Sequence, residues 1–172
     1  MATREEWDAL AFLQHAKYIA AARAAGATGD LRVGVKMTRP DLRTHDRFRW
    51  PAPMPGEVVH VACDAWDDRN EGSCPHSDGD GLCVAHHARH VTSGTVRSIA
   101  EGVGLALVYR ASDGRSDDPD KVRVPEVWVV DVFAPLDLIA EGAVSNLWGA
   151  NLSGANLWDA DLRRANLSGA NL

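Results

Sequence analysis

The stretch SNLWGANLSGANLWDADLRRANLSGANL, residues 145–172, decides how the chain is organised. Leucine returns every five residues, at Leu147, Leu152, Leu157, Leu162, Leu167 and Leu172. Two positions before each stands a small residue: Ser145, then Ala150, Ala155, Ala160, Ala165 and Ala170. Asn fills the place between, except at Asp161. A period of five suits neither common element. On an α-helix, five residues advance about 500°, so successive leucines would scatter around the axis. On a flat strand, an odd period sends alternate leucines to opposite faces. All six leucines share one interior only if the chain turns a corner every five residues and coils about a common axis. Asn suits such corners because its side chain can bond the local backbone, and Gly149, Gly154 and Gly169 supply freedom there.

These residues resemble the pentapeptide-repeat family, whose unit is A-(D/N)-L-x-x. The resemblance covers about a sixth of the chain and is specific, because a repetition this long rarely arises by chance. It implies a right-handed, four-sided β-helix with one repeat per side. By that count the segment makes about one and a half coils. Solenoid repeats do not bury a core alone and need neighbours or caps. The upstream residues are expected to cap one end, and the end at Leu172 is expected to meet a second protomer or a different protein, or to continue in a longer solenoid. Trp148 and Trp158 each follow a repeat leucine, so both should face outward. With Leu167 and Leu172 they form the expected interaction surface.

Working back from the repeat, the sequence divides into an N-terminal helix at 1–29, an α+β domain at 30–139 and the solenoid at 140–172. The expected fold class is therefore an α+β domain followed by a short quadrilateral β-helix. Thr3 and Glu6 have capping-box spacing, and Trp7, Leu10, Tyr18 and Ala22 continue a helical stripe to about Ala25. Such a helix either docks on its own domain or binds a partner. Leu31, Val33, Val35 and Met37 alternate with polar residues as in a half-buried strand. Four prolines, Pro40, Pro51, Pro53 and Pro55, stiffen the next segment, with Phe48 and Trp50 as anchors. Val58 to Ala62 reads as a second strand, Val96 to Gly102 as a short helix and Leu105 to Tyr109 as a third strand. The charged segment 111–120 reads as a hairpin connection, and Val122 to Phe133 as the last strand, interrupted at Pro125.

Between these strands lies the only cluster of metal-capable side chains, Cys63, Cys74, His76, Cys83, His86, His87 and His90. Cys74, His76, Cys83 and His86 could supply the four nitrogen and sulfur ligands of a zinc site. Their spacing matches no established zinc signature. The competing reading is a solvated loop, with Cys63 and Cys83 as small buried residues. The segment from Met37 to Val132 also resembles an uncharacterised domain that precedes pentapeptide repeats in some actinobacterial and phage proteins. That family tends to carry His where this chain has Cys83, and it brings no activity with it.

The formal net charge of -6 argues against general nucleic-acid binding, which needs clustered Lys and Arg. No apolar run is long enough to span a bilayer, and no signal-peptide pattern opens the chain. Three cysteines, an odd number, suit a reducing cytoplasm better than a disulfide framework. No nucleophile elbow, phosphate loop or dinucleotide fingerprint is present. The expectation is a non-enzymatic binding or scaffold protein of a bacterial or phage-infected cytoplasm, self-associating and without a cofactor. Two alternatives stand beside it: a zinc- or Cys/His-based hydrolase or transferase at residues 63–90, and a topoisomerase-binding DNA mimic of the kind the repeat resemblance implies.

Overall fold

The computed structural model describes residues 14–43, 49–63, 82–85, 102–118, 121–140, 147–158, 160, 162–163 and 165–172. Within them the chain is mainly antiparallel sheet with a few helical turns. Helix α1 (His15–Ala24) precedes strands β1 (Leu31–Thr38), β2 (Val59–Ala62), β3 (Leu82–Ala85) and β4 (Val103–Arg110). A 3-10 turn (Ala111–Asp113), β5 (Arg115–Asp118), β6 (Lys121–Val124), β7 (Glu126–Phe133) and helix α2 (Pro135–Ala140) follow, and the repeats come last.

The seven strands form one sheet in the order β2-β7-β4-β1-β3-β6-β5. Only Pro125 separates β6 from β7, yet β3, β1 and β4 stand between those two strands. In a flat sheet, four steps of about 4.8 Å would part them by about 19 Å. The two residue steps from Val124 to Glu126 reach about 7 Å at most. The sheet is therefore rolled, and Pro125 forms its corner. The inner face of the roll holds one core of Trp50, Val61, Leu82, Val84, Leu105, Leu107, Tyr109, Val122, Val124, Val127 and Val129. Residues 122–133, expected as one strand, thus form two. Pro125 ends the first because it lacks the N–H that a continuous ladder would need. The expected hairpin at 111–120 is also displaced: β5 pairs with β6, while β4 pairs with β7.

The outer face is shared. Leu31, Val33, Val35 and Met37 all point to it, since Val33 stands opposite Val108 and Val35 opposite Ala106. Leu31 and Val33 pack with Tyr18 and Ala22 of α1 and with Ala106, Val108, Trp128 and Val130. Val35 and Met37 pack instead with Leu147, Ala150 and Leu152 of the repeats. The alternation read from β1 holds, and of the two readings of α1 the structure shows docking on its own domain. The helix expected from Thr3 to Ala25 is not continuous, however, because Gln14 takes a left-handed φ of +40° and α1 begins at His15. The capping box and Trp7 to Leu13, Phe48 and the short helix expected near 96–102 lie outside the described residues.

The register of β4 against β7 shifts between Ala106 and Leu107. Ala106 pairs with Asp131 and Leu107 with Val129, which leaves Val130 as the extra residue of a bulge. The bulge turns Val130 and Asp131 to the same side, beneath α1. The Asp131 carboxylate then accepts a hydrogen bond from the Tyr18 hydroxyl at 2.6 Å and one from the Val132 N–H at 2.8 Å. One side chain thus ties the helix down and satisfies a donor on a strand edge. Farther along, the Phe133 ring lies over Gly104, where a Cβ would come within 2.4 Å of the ring.

Two predictions follow from this packing. Gly104→Ala should lower stability by about 1–3 kcal/mol in urea denaturation, because the Phe133 ring must move away from Met37 and the repeats. Tyr18→Phe should lower it by about 1 kcal/mol. Burial first, and then the bond to and charge of Asp131, raise the Tyr18 pKa above its ordinary value of 10.0. That stabilisation is present below pH 10 and lost above it as the phenol ionises, so the parent should weaken at alkaline pH more than Tyr18→Phe does.

Candidate functional site

In the repeat, the chain turns after each leucine. The N–H groups of Ala150, Ala155, Ala160, Ala165 and Ala170 donate to the carbonyls of Leu147, Leu152, Leu157, Leu162 and Leu167, at 2.9–3.1 Å. Three of these four-residue turns place glycine third, with φ of +67° at Gly149, +75° at Gly154 and +69° at Gly169. That is the position at which a type II turn demands positive φ. The asparagines hold the approach to the corners. Asn151, Asn156 and Asn166 each accept, through Oδ1, the N–H two residues on, at 3.1 Å.

Residues about twenty apart then meet. Asn151 and Asn171 form a parallel bridge, and the Asn171 side-chain amide donates to Asn151 Oδ1 at 3.3 Å. The N–H groups of Leu147, Gly149 and Leu152 donate to the carbonyls of Asn166, Ser168 and Asn171, and Asn171 N–H returns a bond to Ala150. The bridge offset, 171 minus 151, is twenty residues, or four repeats of five. The segment is β-helix-like, held by backbone bonds between successive layers.

Leucine burial follows a gradient. Leu147 and Leu152, against β1, are buried; Leu157, Leu162 and Leu167 are half-buried; Leu172 is 72% exposed. Trp148 and Trp158 take the second position of their turns and stand out from the corners, 71% and 85% exposed. Ten residues, half the bridge offset, separate them, so they lie on opposite walls. Of the four residues expected to form an interaction surface, Trp148, Trp158 and Leu172 are on the surface. Leu167 instead contributes to the interior that packs with Leu147 and Leu152.

The zinc reading falls outside what the structure describes. Cys74, His76 and His86 are not among the described residues, and of Cys83 only the backbone in β3 is. Among the described residues, no group of three or more His, Cys, Asp or Glu side chains could hold a metal ion. Cys63 corrects the expectation of unpaired thiols: it is disulfide-bonded. It is neither a thiolate ligand nor a small buried apolar residue.

Sequence reading misses a polar network on the sheet. His60 Nε2 hydrogen-bonds Glu126 Oε2 at 2.6 Å, and Arg110 donates to Glu126 Oε1. Arg110 also reaches Asp113 at 3.2 Å and the Thr28 carbonyl at 3.1 Å. The His60 ring stacks on Trp128 at 4.9 Å between centroids, and the Arg110 guanidinium lies 5.2 Å from the same ring. Burial works against the charge on Arg110, but the carboxylates of Asp113 and Glu126 outweigh it and raise its pKa. Both Glu126 oxygens are engaged, so the network clamps β2, β4 and β7 together rather than presenting a free base. No spacing announces it, because its five side chains come from three strands and the 3-10 turn after β4.

Comparison with known proteins is confined to the repeat. The family model described as pentapeptide repeats (8 copies) matches residues 145–172. The matched 28 residues hold between five and six units of five. No curated protein matches the chain, and no solved structure does. The resemblance of Met37 to Val132 to an uncharacterised domain gains no support from a match confined to the repeat. Among the described residues, no helix is long and apolar enough to cross a membrane.

Glu126→Ala should remove the carboxylate that Arg110 and His60 share and cost about 1 kcal/mol, a modest figure because His60 is half exposed and Arg110 keeps Asp113 and the Thr28 carbonyl. Urea denaturation at low and high salt checks this, and the difference from the parent should shrink as salt rises.

Proposed function

We propose that the chain is a non-enzymatic binding or scaffold protein that associates with a second copy of itself through the repeat face around Leu172. The repeat family suggests a protein-interaction or scaffold role. The observation that carries the finer reading is the twenty-residue offset of the layers, which supports a four-sided coil with four repeats per turn, and the resemblance to the repeat family adds the right-handed sense. A coil of this kind is a rigid platform whose flat layers fit another such layer. One side of the platform is occupied by β1, where Leu147 and Leu152 are buried. The other side offers Leu172, with Trp158 standing from the adjoining wall. Tryptophan contributes large, rigid contact area and is favoured at binding hot spots.

No cofactor enters this reading. A cytoplasmic location is not part of it either, because the Cys63 disulfide removes the argument from unpaired thiols.

Sedimentation velocity of the 172-residue chain over a concentration series tests the proposal. The parent should dimerise, and Leu172→Asp and Trp158→Ser should each weaken dimerisation at least tenfold, about 1.4 kcal/mol. Both side chains are exposed, so thermal melting of the monomer should not change. A parent that stays monomeric at every concentration would overturn the self-association.

A further inference from the structure

We infer that the segment following β1 holds a binding site for a phosphate group, with Arg39, Arg43 and Arg49 as its cations. β1 ends at Thr38. The chain then turns: Leu42 N–H donates to the Arg39 carbonyl at 2.9 Å, and Leu42 takes a left-handed φ of +65°. Arg39 N–H donates to the Arg43 carbonyl and Trp50 N–H to the Leu42 carbonyl, both at 2.9 Å. Arg43 and Arg49 form an antiparallel bridge. Residues directly opposite in such a bridge carry their side chains on one face, with Cβ atoms about 4.5–5.5 Å apart, and like charges so placed are destabilising. Trp50, the next residue, is buried in the inner core of the roll and anchors this bridge to the sheet.

The patch is positive in a chain whose formal net charge is -6. Arg39, Arg43 and Arg49 are exposed, and the Lys36 ammonium lies 5.4 Å from the centroid of the Trp50 ring. Among the described residues of 36–50, Asp41 is the only carboxylate, and it pairs with Arg43 at 3.6 Å. Among the described residues, no carboxylate pairs with Lys36, Arg39 or Arg49. A phosphate group answers this arrangement. A guanidinium gives two parallel N–H bonds to phosphate oxygens, which an ammonium does not. The negative charge of the phosphate also relieves the repulsion between Arg43 and Arg49. The acidity of the rest of the chain opposes a long polyanion such as nucleic acid. The ligand is therefore compact: a free phosphate or the phosphate tail of a nucleotide.

Isothermal titration calorimetry of the 172-residue chain with sodium pyrophosphate at low salt tests the site. Binding should saturate, and Arg39→Gln and Arg49→Gln should each weaken it roughly tenfold. Arg32→Gln is the control. It removes a cation that pairs with Asp30 at the other end of β1, and it should bind as the parent does. Pyrophosphate should raise the melting temperature of the parent but not that of Arg49→Gln. Without ligand, Arg49→Gln should melt no lower than the parent, because the exposed side chain it replaces faces a like charge. A second titration, with adenosine triphosphate, separates the two sources. Affinity equal to or weaker than that of pyrophosphate assigns the site to free phosphates. Affinity roughly tenfold tighter, and lost in Arg49→Gln, assigns it to a nucleotide. A parent that binds neither ligand, or an equal loss in Arg32→Gln and Arg49→Gln, would overturn the proposal.

Discussion

A one-residue connection at Pro125 sets the shape of the sheet. β6 and β7 are neighbours in sequence but not in the sheet, and a single residue spans the gap only if the sheet rolls up. Rolling creates the inner core, in which alternate residues of β3, β4, β6 and β7 meet Trp50. The Glu126 network does not need the roll: β7 lies between β2 and β4 in the sheet, so Glu126 bonds Arg110 on one side and His60 on the other. A flat sheet with the same strand order would have neither the sealed interior nor the corner whose Pro125 carbonyl accepts the Cys63 N–H.

The outer face follows from the period of a strand. Every second residue of β1 points outward, so Leu31, Val33, Val35 and Met37 make one apolar stripe. Helix α1 covers half of it and the first repeats cover the rest. The bulge at Val130 permits this division, because it brings Asp131 under Tyr18 and then sets Phe133 over Gly104, between the two layers. The repeats therefore do not hang from the sheet on a linker. Their first leucines share a core with it, which answers the general need of solenoid repeats for a cap. Burial then declines along the coil from Leu147 to Leu172. The surface proposed for association is the far side of the same platform.

Much of the repeat was legible in the linear sequence. Its period of five excluded both regular elements, and the corner turns, inward leucines and Asn contacts appear where the pattern placed them. The turns and the Asn contacts join residues two to three apart, which a sequence displays directly. The β1 stripe and the apolar face of α1 at Tyr18 and Ala22 were legible from strand and helix periodicity, but not the strands on which that face would dock. The splitting of residues 122–133 was only half legible: Pro125 marked an interruption, but nothing local said that the two halves would occupy distant places in the sheet.

The sequence by itself determined the local rules: a turn every five residues, alternation along the strands, and a break at proline. Each of these depends on dihedral preferences and on neighbours within a few residues. The tertiary structure alone decided strand order, the roll, the bulge register, the Glu126 network and the pairing of Cys63. Those features depend on contacts between residues as far apart as Tyr18 and Asp131 or His60 and Glu126. Such contacts form only once the core has closed and set the strands side by side, and no spacing along the chain encodes them.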